Sequence, residues 1–476
     1  MKKVLYIVLC FQFFGCSDFL DEVSQDKLIP EKTDHYAALL LGEFNYQYPI
    51  FGNIDYMTDN IVEDAKAFSS RKFNNKTTYT WQREIEIDED GNTINNINSS
   101  WERMYEDIAI ANYIIAQIDE AIGEQSEIDN VKGEAYFVRA LSYFNLLNLY
   151  GQPYDAASAN FDLGVPLRDD IGVEFAYSRN TVAECYALIE SDLEHAIDLI
   201  GFSGLEKSIW HPNAEACNLL MSRVKLYQEK WQEAIDYADQ VIAQRNLTKI
   251  SPEVPFVTDS NDEILYSYYT VLPLFQLYSS GSSLNTLSYF VNPELVNLYD
   301  DADVRKDAFF LEVSDATGKA TYRTKKYQTG LFTDLGYANL RVSEAYLNRA
   351  EAYAQLGNSG NALADIRTLH GFRYNSTADI VYPDNGIVEY VLLERRKEFC
   401  FEDHHRWFDL RRMENRPEIK HVYSVIEENG ATSATEIYTL LSDDINYTLP
   451  IPLEERENNP QIRNNERYEK IPIIED

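Results

Sequence analysis

The chain has 476 residues, with 42 Lys and Arg against 78 Asp and Glu, a formal charge of −36 and a pI near 4.5. So acidic a chain repels phosphate backbones and anionic headgroups, which argues against any nucleic-acid partner. Apolar residues at 45% and charged residues at 25% give the balance of a globular protein, not of a disordered one.

Met1–Cys16 reads as a targeting segment. Lys2 and Lys3 precede an apolar run, Val4–Phe14, interrupted by Gln12. A spanning helix needs about 20 apolar residues, so this run is too short. Phe13-Phe14-Gly15-Cys16 resembles the lipobox of bacterial lipoproteins, which makes 1–15 a signal peptide and Cys16 the acylated residue. Losing Lys2 and Lys3 shifts the charge from −36 to −38. Residues 16–32, with the acidic run SDFLDEVSQD, read as a tether between membrane and globule. Cys10 leaves with the signal segment; Cys185, Cys217 and Cys400 have neither CxxC nor zinc spacing and read as small core residues.

Thr33–Tyr48 reads as a first helix, with Tyr36, Leu39, Leu40 and Phe44 on one side. Asp55–Trp81 is irregular and polar, with Asp59, Asn60 and Arg71, and ends on Tyr79 and Trp81 in an expected strand. Glu84–Ile97 reads as a hairpin turning at Asp90-Gly91. Asp88, Asp90, Gly91 and Asn92 mimic the opening of a calcium loop. Thr93 replaces its glycine and Ser99 its bidentate glutamate, so a simple turn is expected and no metal.

Helical periodicity then dominates. The spacing predicts helices over Ser99–Ala121 and Glu127–Tyr150, then Thr181–Leu199, Asn213–Gln228 and Trp231–Ala243. A third group, Leu340–Leu356 and Asn361–Leu369, has small alanine faces and a stop at Gly357. Ser251–Asp334 breaks the pattern: it is rich in Tyr, Ser, Gly and Pro and reads as loops and short strands. Val388–Met413 contains no Gly or Pro and reads as one long helix. On it Glu402 and Arg406 are four apart, and Arg406 and Asp409 three apart. Together with Arg395 they are expected to form a structural ion network along one helix surface.

Several stretches carry a family resemblance. ERRKEFCFEDHHRWFDLRRM resembles the near-C-terminal signature of the SusD/RagB outer-membrane lipoproteins, matching at Glu394, Arg395, Arg396, Glu398, Phe399, Phe401, Glu402, Arg406, Asp409, Leu410 and Arg412. Asp403 stands where that family usually carries Gly. The tail YTLPIPLEERENNPQIRNNERY is similar to the family's terminal pattern at Pro450, Ile451, Pro452, Glu455, Asn459, Pro460, Asn465 and Tyr468, with Asn464 in place of the usual Gln. LRVSEAYLNRAEAYAQLGN looks like a tetratricopeptide-type repeat, though no clean 34-residue period runs through the chain. The expected fold is therefore mostly α: degenerate tetratricopeptide-like hairpins at about 99–244 and 340–413, with a loop-rich, partly β lobe at about 251–334. A single globular domain over 33–476 ends in the family tail at 447–468.

No chemical site persuades. There is no GxGxxG after a strand, no P-loop, no HExxH and no GxSxG, so neither a cofactor nor an enzymatic activity is expected. Adjacent His404 and His405 would point about 100° apart on a helix, poor geometry for a shared metal, and read as surface or ion-network residues. Binding is the better reading: flat rings pack the C–H faces of a sugar while amides, carboxylates and guanidiniums bond its edge. The candidate ligand residues are Trp81 and Tyr79 with Asp59, Asn60 and Arg71, and a second group of Tyr278, Tyr289 and Phe290. The resemblance implies a lipid-anchored protein of the outer membrane, facing the exterior. It would capture oligosaccharide and pass it to a SusC-type TonB-dependent transporter. Alternatives are an oligopeptide-binding RagB-like lid, a purely structural lid, or a surface glycan hydrolase using paired carboxylates about 5–9 Å apart.

Overall fold

The computed structural model describes residues 30–44, 54–88, 90–93, 99–168, 177–258, 261–268, 288–315, 318–326 and 338–475. The signal segment, Cys16 and Tyr278 lie outside the described residues. Ten helices of eight or more residues are found among the described residues: α1 (Thr33–Phe44), α2 (Ser99–Gln117), α3 (Gln125–Tyr150), α4 (Val182–Ser203), α5 (Ala214–Tyr227), α6 (Trp231–Ile242), α7 (Val342–Gln355), α8 (Ser359–Arg373), α9 (Ile387–Phe399) and α10 (His405–Arg412). Each packs on its chain neighbour from α2 to α6. α7 then lies against α6, α8 and α9, so the two helical groups form one stack of tetratricopeptide-like hairpins.

Local chemistry explains the helix ends. Thr181 caps α4 through a capping box: its Oγ1 accepts from Glu184 N at 3.2 Å, and Glu184 Oε2 accepts from Thr181 N at 2.8 Å. Asn213 Oδ1 caps α5 by accepting from Ala216 N at 2.8 Å. Gly357 turns left-handed at φ 75° just past α7, the stop expected there. α3 is buried on nearly all sides from Gly133 to Tyr150, as the central helix of a stack must be. At Gly133 the α3 backbone approaches α4 closely; a Cβ there would lie 2.8 Å from Ile200 Cγ1 and 3.1 Å from Leu199 Cβ.

The expected single helix over 388–413 is instead α9 and α10, joined by a turn in which Phe401, Asp403 and His404 have φ of 60°, 43° and 57°. No glycine supports this turn. Tertiary ion pairs hold it: Glu402 meets Arg341 at 2.8 Å and also Lys326, while Asp403 meets Arg223 at 2.7 Å and the Tyr268 hydroxyl at 2.5 Å. A continuous helix would swing Glu402 and Asp403 about 100° apart and could not serve both sets of partners.

Three small sheets complete the fold. β1 (Ile61–Glu63), β3 (Tyr289–Val291), β5 (Ala320–Thr324) and β4 (Phe310–Ser314) form an antiparallel sheet in that order. β2 (Ile264–Tyr268) pairs with β6 (Ala338–Arg341). β7 (Ile419–Ile426), β8 (Thr432–Leu440) and β9 (Ile473–Glu475) form the third. The strand expected at Tyr79 and Trp81 is a short helix, Lys76–Tyr79, followed by Trp81 at φ 53°. Of the hairpin expected after it the described residues show a bridge between Ile87 and Thr93, and its return residues Ile94 and Ile97 lie outside them. Its turn closes on itself, with Asp88 Oδ1 accepting from Asp90 N and Asn92 N at 3.0 and 2.8 Å.

The C-terminal segment straps the early elements together. Asn446 Nδ2 donates to Trp81 O at 2.8 Å, Arg467 Nη2 to Gln82 O at 2.8 Å, and Asn465 Nδ2 to Tyr150 O at 2.7 Å. The carbonyls left open at the end of α3 are filled by arginines: Arg411 reaches Asn148 O and Gly151 O, and Arg179 Nη2 reaches Tyr150 O at 2.8 Å.

Candidate functional site

The two rings of the first predicted patch lie in the core rather than on the surface. Trp81 is 0% exposed, and its Nε1 donates to Met57 O at 2.8 Å. Tyr79 and Trp81 stack on the His421 ring at centroid distances of 4.1 and 4.2 Å. Tyr289, from the second patch, joins the same cluster at 5.1 Å from Tyr79 and 4.6 Å from Tyr56. These rings are close-packed by residues distant in sequence, and none presents a face to a ligand. Phe290 is also buried, in the row of residues that crosses the sheet from Val62. Arg71 lies on the short helix Ser70–Asn74.

Asp59 and Asn60 join a different set. Arg406 grips Asp59 through two bonds of 2.7 Å, Arg396 approaches it at 3.1 Å, and Arg396 Nε donates to Asn60 Oδ1 at 2.9 Å. Burial alone would raise the Asp59 pKa, but the two guanidiniums hold it well below the usual carboxylate range. Two features read separately in the sequence are thus one: the polar residues of the first patch are partners of the ion-network helix.

That network differs from the expected one. Arg406 pairs with Asp59, not with Glu402 or Asp409. Arg395 does meet Asp409, at 3.3 Å, and Asp409 also meets Arg412 at 2.6 Å. At its centre Glu398 faces three guanidiniums: Arg341 at 2.6 Å, Arg373 at 2.8 Å and Arg305 at 3.1 Å. Arg341 and Arg373 are shared with Glu263, at 3.0 and 2.8 Å. Desolvation opposes the charge on Glu398, but the arginines outweigh it and keep the carboxylate ionised well below its ordinary pKa. A carboxyl so buried and so firmly ionised can neither donate a proton nor reach a substrate. His404 and His405 are buried too, not surface residues, and loss of hydration pulls His404 down to about 3. Among the described residues no group of three or more His, Cys, Asp or Glu side chains is arranged to hold a metal.

Two features do face solvent. Phe68 and Phe73 are 50% and 38% exposed and meet edge to face at 5.2 Å. Their segment is pinned to the start of β3: Asp64 N donates to Ser288 O at 2.8 Å, Ser69 and Ser288 share a hydroxyl contact of 2.6 Å, and the Tyr289 hydroxyl donates to Lys72 O at 3.3 Å. Anchored, solvent-facing rings are what stacking on a sugar requires. Sequence reasoning singled out this stretch but passed over its phenylalanines. The available signal was two Phe in FSSRKFNN with no apolar neighbour to bury them.

The second feature is a cleft of about 380 Å³ where α6 gives way to β2, lined by Ile209, Gln244, Leu247, Thr248, Asn261 and Ile264 among others. Thr248 ties its floor to the buried network, donating from N to Glu263 at 3.0 Å and accepting at O from Arg373 at 2.8 Å.

Comparison with known proteins places these features in context. A family model described as starch-binding, associating with outer membrane, matches residues 18–226, and one described as SusD family matches residues 317–468. A SusD-like protein of Formosa agariphila is 22% identical over 469 residues, covering 86% of this chain and 90% of the relative. A SusD superfamily protein from Bacteroides thetaiotaomicron superposes with a TM-score of 0.73 at 24% identity, covering 92% of this chain and 100% of the other. A SusD-like carbohydrate binding protein from Bacteroides vulgatus does so at 0.71 and 22%, covering 91% and 97%.

Proposed function

This chain belongs to the SusD family, and from that premise we propose that it is a lipid-anchored, cell-surface oligosaccharide-binding protein that hands its ligand to a SusC-type TonB-dependent transporter. The observation that carries the reading is the match of residues 18–226 to a family described as starch-binding and outer-membrane-associated. The exposed Phe68–Phe73 pair supports it as a stacking platform, and the engagement of the central glutamates with arginines supports binding without bond cleavage. No helix among the described residues is long and apolar enough to cross a membrane. In this reading the anchor is Cys16, acylated at the lipobox-like Phe13-Phe14-Gly15-Cys16.

The full chain in detergent, presented to arrays of glycans and of peptides, tests the reading. Oligosaccharide binding is expected, weakened about tenfold when Phe68 and Phe73 are both changed to Ala, since ring stacking contributes roughly 1–2 kcal/mol. Binding confined to peptides transfers the assignment to a RagB-like lid, and release of reducing ends transfers it to a hydrolase. Cys16→Ala should move the protein out of the detergent phase.

A further inference from the structure

Among the described residues the buried arginines follow a rule with one exception. Arg139, Arg223, Arg305, Arg341, Arg373, Arg395 and Arg406 each face a carboxylate, while Arg411 and Arg467 donate to backbone carbonyls. Arg323, on β5, does neither. It is 5% exposed, its Nε is sealed from solvent with no acceptor while its two terminal nitrogens still reach solvent, and among the described residues its side chain makes no ion pair or hydrogen bond. Burial alone depresses its pKa, with no anion to restore it. A guanidinium so nearly enclosed with no anion beside it is costly, and such a group in a folded chain calls for an explanation.

Its position is informative. The registers set Val62 opposite Phe290 and Arg323 opposite Leu311. One step along from the Val291–Tyr322 pair, Phe290 comes beside Arg323. Val62, Phe290, Arg323 and Leu311 thus form one row across the sheet, on the face away from Tyr289. Leu311 at the end of the row is 39% exposed. Only the Leu311 end of the row is open, so exposed apolar surface there lies beside the terminal nitrogens of a planar fork of donors, the pairing that recognises a sugar bearing a carboxylate or a sulfate.

We infer that Arg323 is an anion-recognition group and that the oligosaccharide this protein takes carries acidic substituents. The inference rests on the glycan-binding reading and narrows it to a ligand class. The chain's own acidity does not oppose it: at physiological ionic strength fields decay over about 8 Å, so a bonded guanidinium governs the encounter while distant carboxylates are screened.

Thermal melting of the full chain with small probes tests it at matched ionic strength. Glucuronate and glucose 6-sulfate separate the carboxylate and sulfate sources, glucose is the neutral control, and a poly-glutamate peptide stands for an acidic protein partner. The wild type should melt higher with at least one anionic sugar and not with glucose, and Arg323→Gln should abolish that shift. Arg323→Lys, which keeps the charge but loses the planar fork, should retain only part of it. Equal shifts in wild type and Arg323→Gln, or no shift with either anionic sugar, overturn the inference. A shift with poly-glutamate alone also overturns it and assigns Arg323 to a protein partner. Array binding to neutral glycans only, unchanged in Arg323→Gln, would overturn this inference while leaving the glycan-binding reading in place.

Discussion

Replacing Glu398 with Gln should destabilise the protein by a predictable amount and in a predictable pH window. The innermost cluster contains Arg305, Arg341, Arg373, Lys326 and Lys397 against Glu263, Asp303, Glu394, Glu398 and Glu402, so its formal charges cancel. Glutamine keeps the shape and removes one negative charge, leaving a net positive charge at a site with no access to water. Breaking a buried pair in this way costs about 3–5 kcal/mol. With about 2.1 cal/mol/K of unfolding entropy per residue, a chain of 476 residues loses about 3–5 °C of melting temperature. The acid limb gives a second readout. The folded pKa of Glu398 lies below its unfolded value, so its stabilisation is complete above the unfolded value, near 4.5, and is lost as pH falls from there toward the folded pKa. The variant should therefore show a shallower loss of stability below pH 4.5. Differential scanning calorimetry across that range, with Arg373→Met and the double variant, completes the cycle. Removing Arg373 as well restores neutrality, so the double variant should be more stable than the sum of the two losses predicts. A melting shift below about 1 °C for Glu398→Gln, or strict additivity in the double variant, would refute the account of a neutral, mutually dependent cluster.

Trp81→Ala should cost about 3–5 kcal/mol, because the ring fills a core site between His421 and Met57, and chemical denaturation would show it as a fall in the unfolding midpoint. Gly133→Ala should cost about 1–3 kcal/mol by pushing α3 from α4, measurable the same way. His404 and His405 are held neutral by burial, whereas in the unfolded chain they take up protons near pH 6.5. Stability should therefore decline as pH falls from about 6.5, and proton uptake on unfolding at pH 5.5, followed by calorimetry in buffers of different ionisation enthalpy, should exceed that at pH 7.5.

Elements governed by local chemistry were the ones the sequence made readable. Thr181, Asn213 and Gly357 mark helix ends by hydrogen bonds or backbone conformations that involve only residues nearby in the chain, and periodicity located the hairpins between them. The break between α9 and α10 was hidden, because nothing in CFEDHH resembles a helix stop. It exists because Arg341, Lys326 and Arg223 arrive from other parts of the chain and pull on Glu402 and Asp403. The burial of the candidate rings was hidden for a related reason. Tyr79 and Trp81 sit among polar neighbours and look exposed until His421 and Tyr289 close over them. Arg323 carried no signal at all: what sets it apart is the lack of a partner, and partners across a sheet are not visible in one strand.

The strap formed by Asn446, Asn465 and Arg467 has a consequence for when the molecule can become rigid. Trp81, Gln82 and the end of α3 are made early in synthesis, yet the groups that secure them are made almost last. Those contacts cannot form until the final stretch is available, so the loop at Trp81 and the end of α3 gain their last hydrogen bonds late.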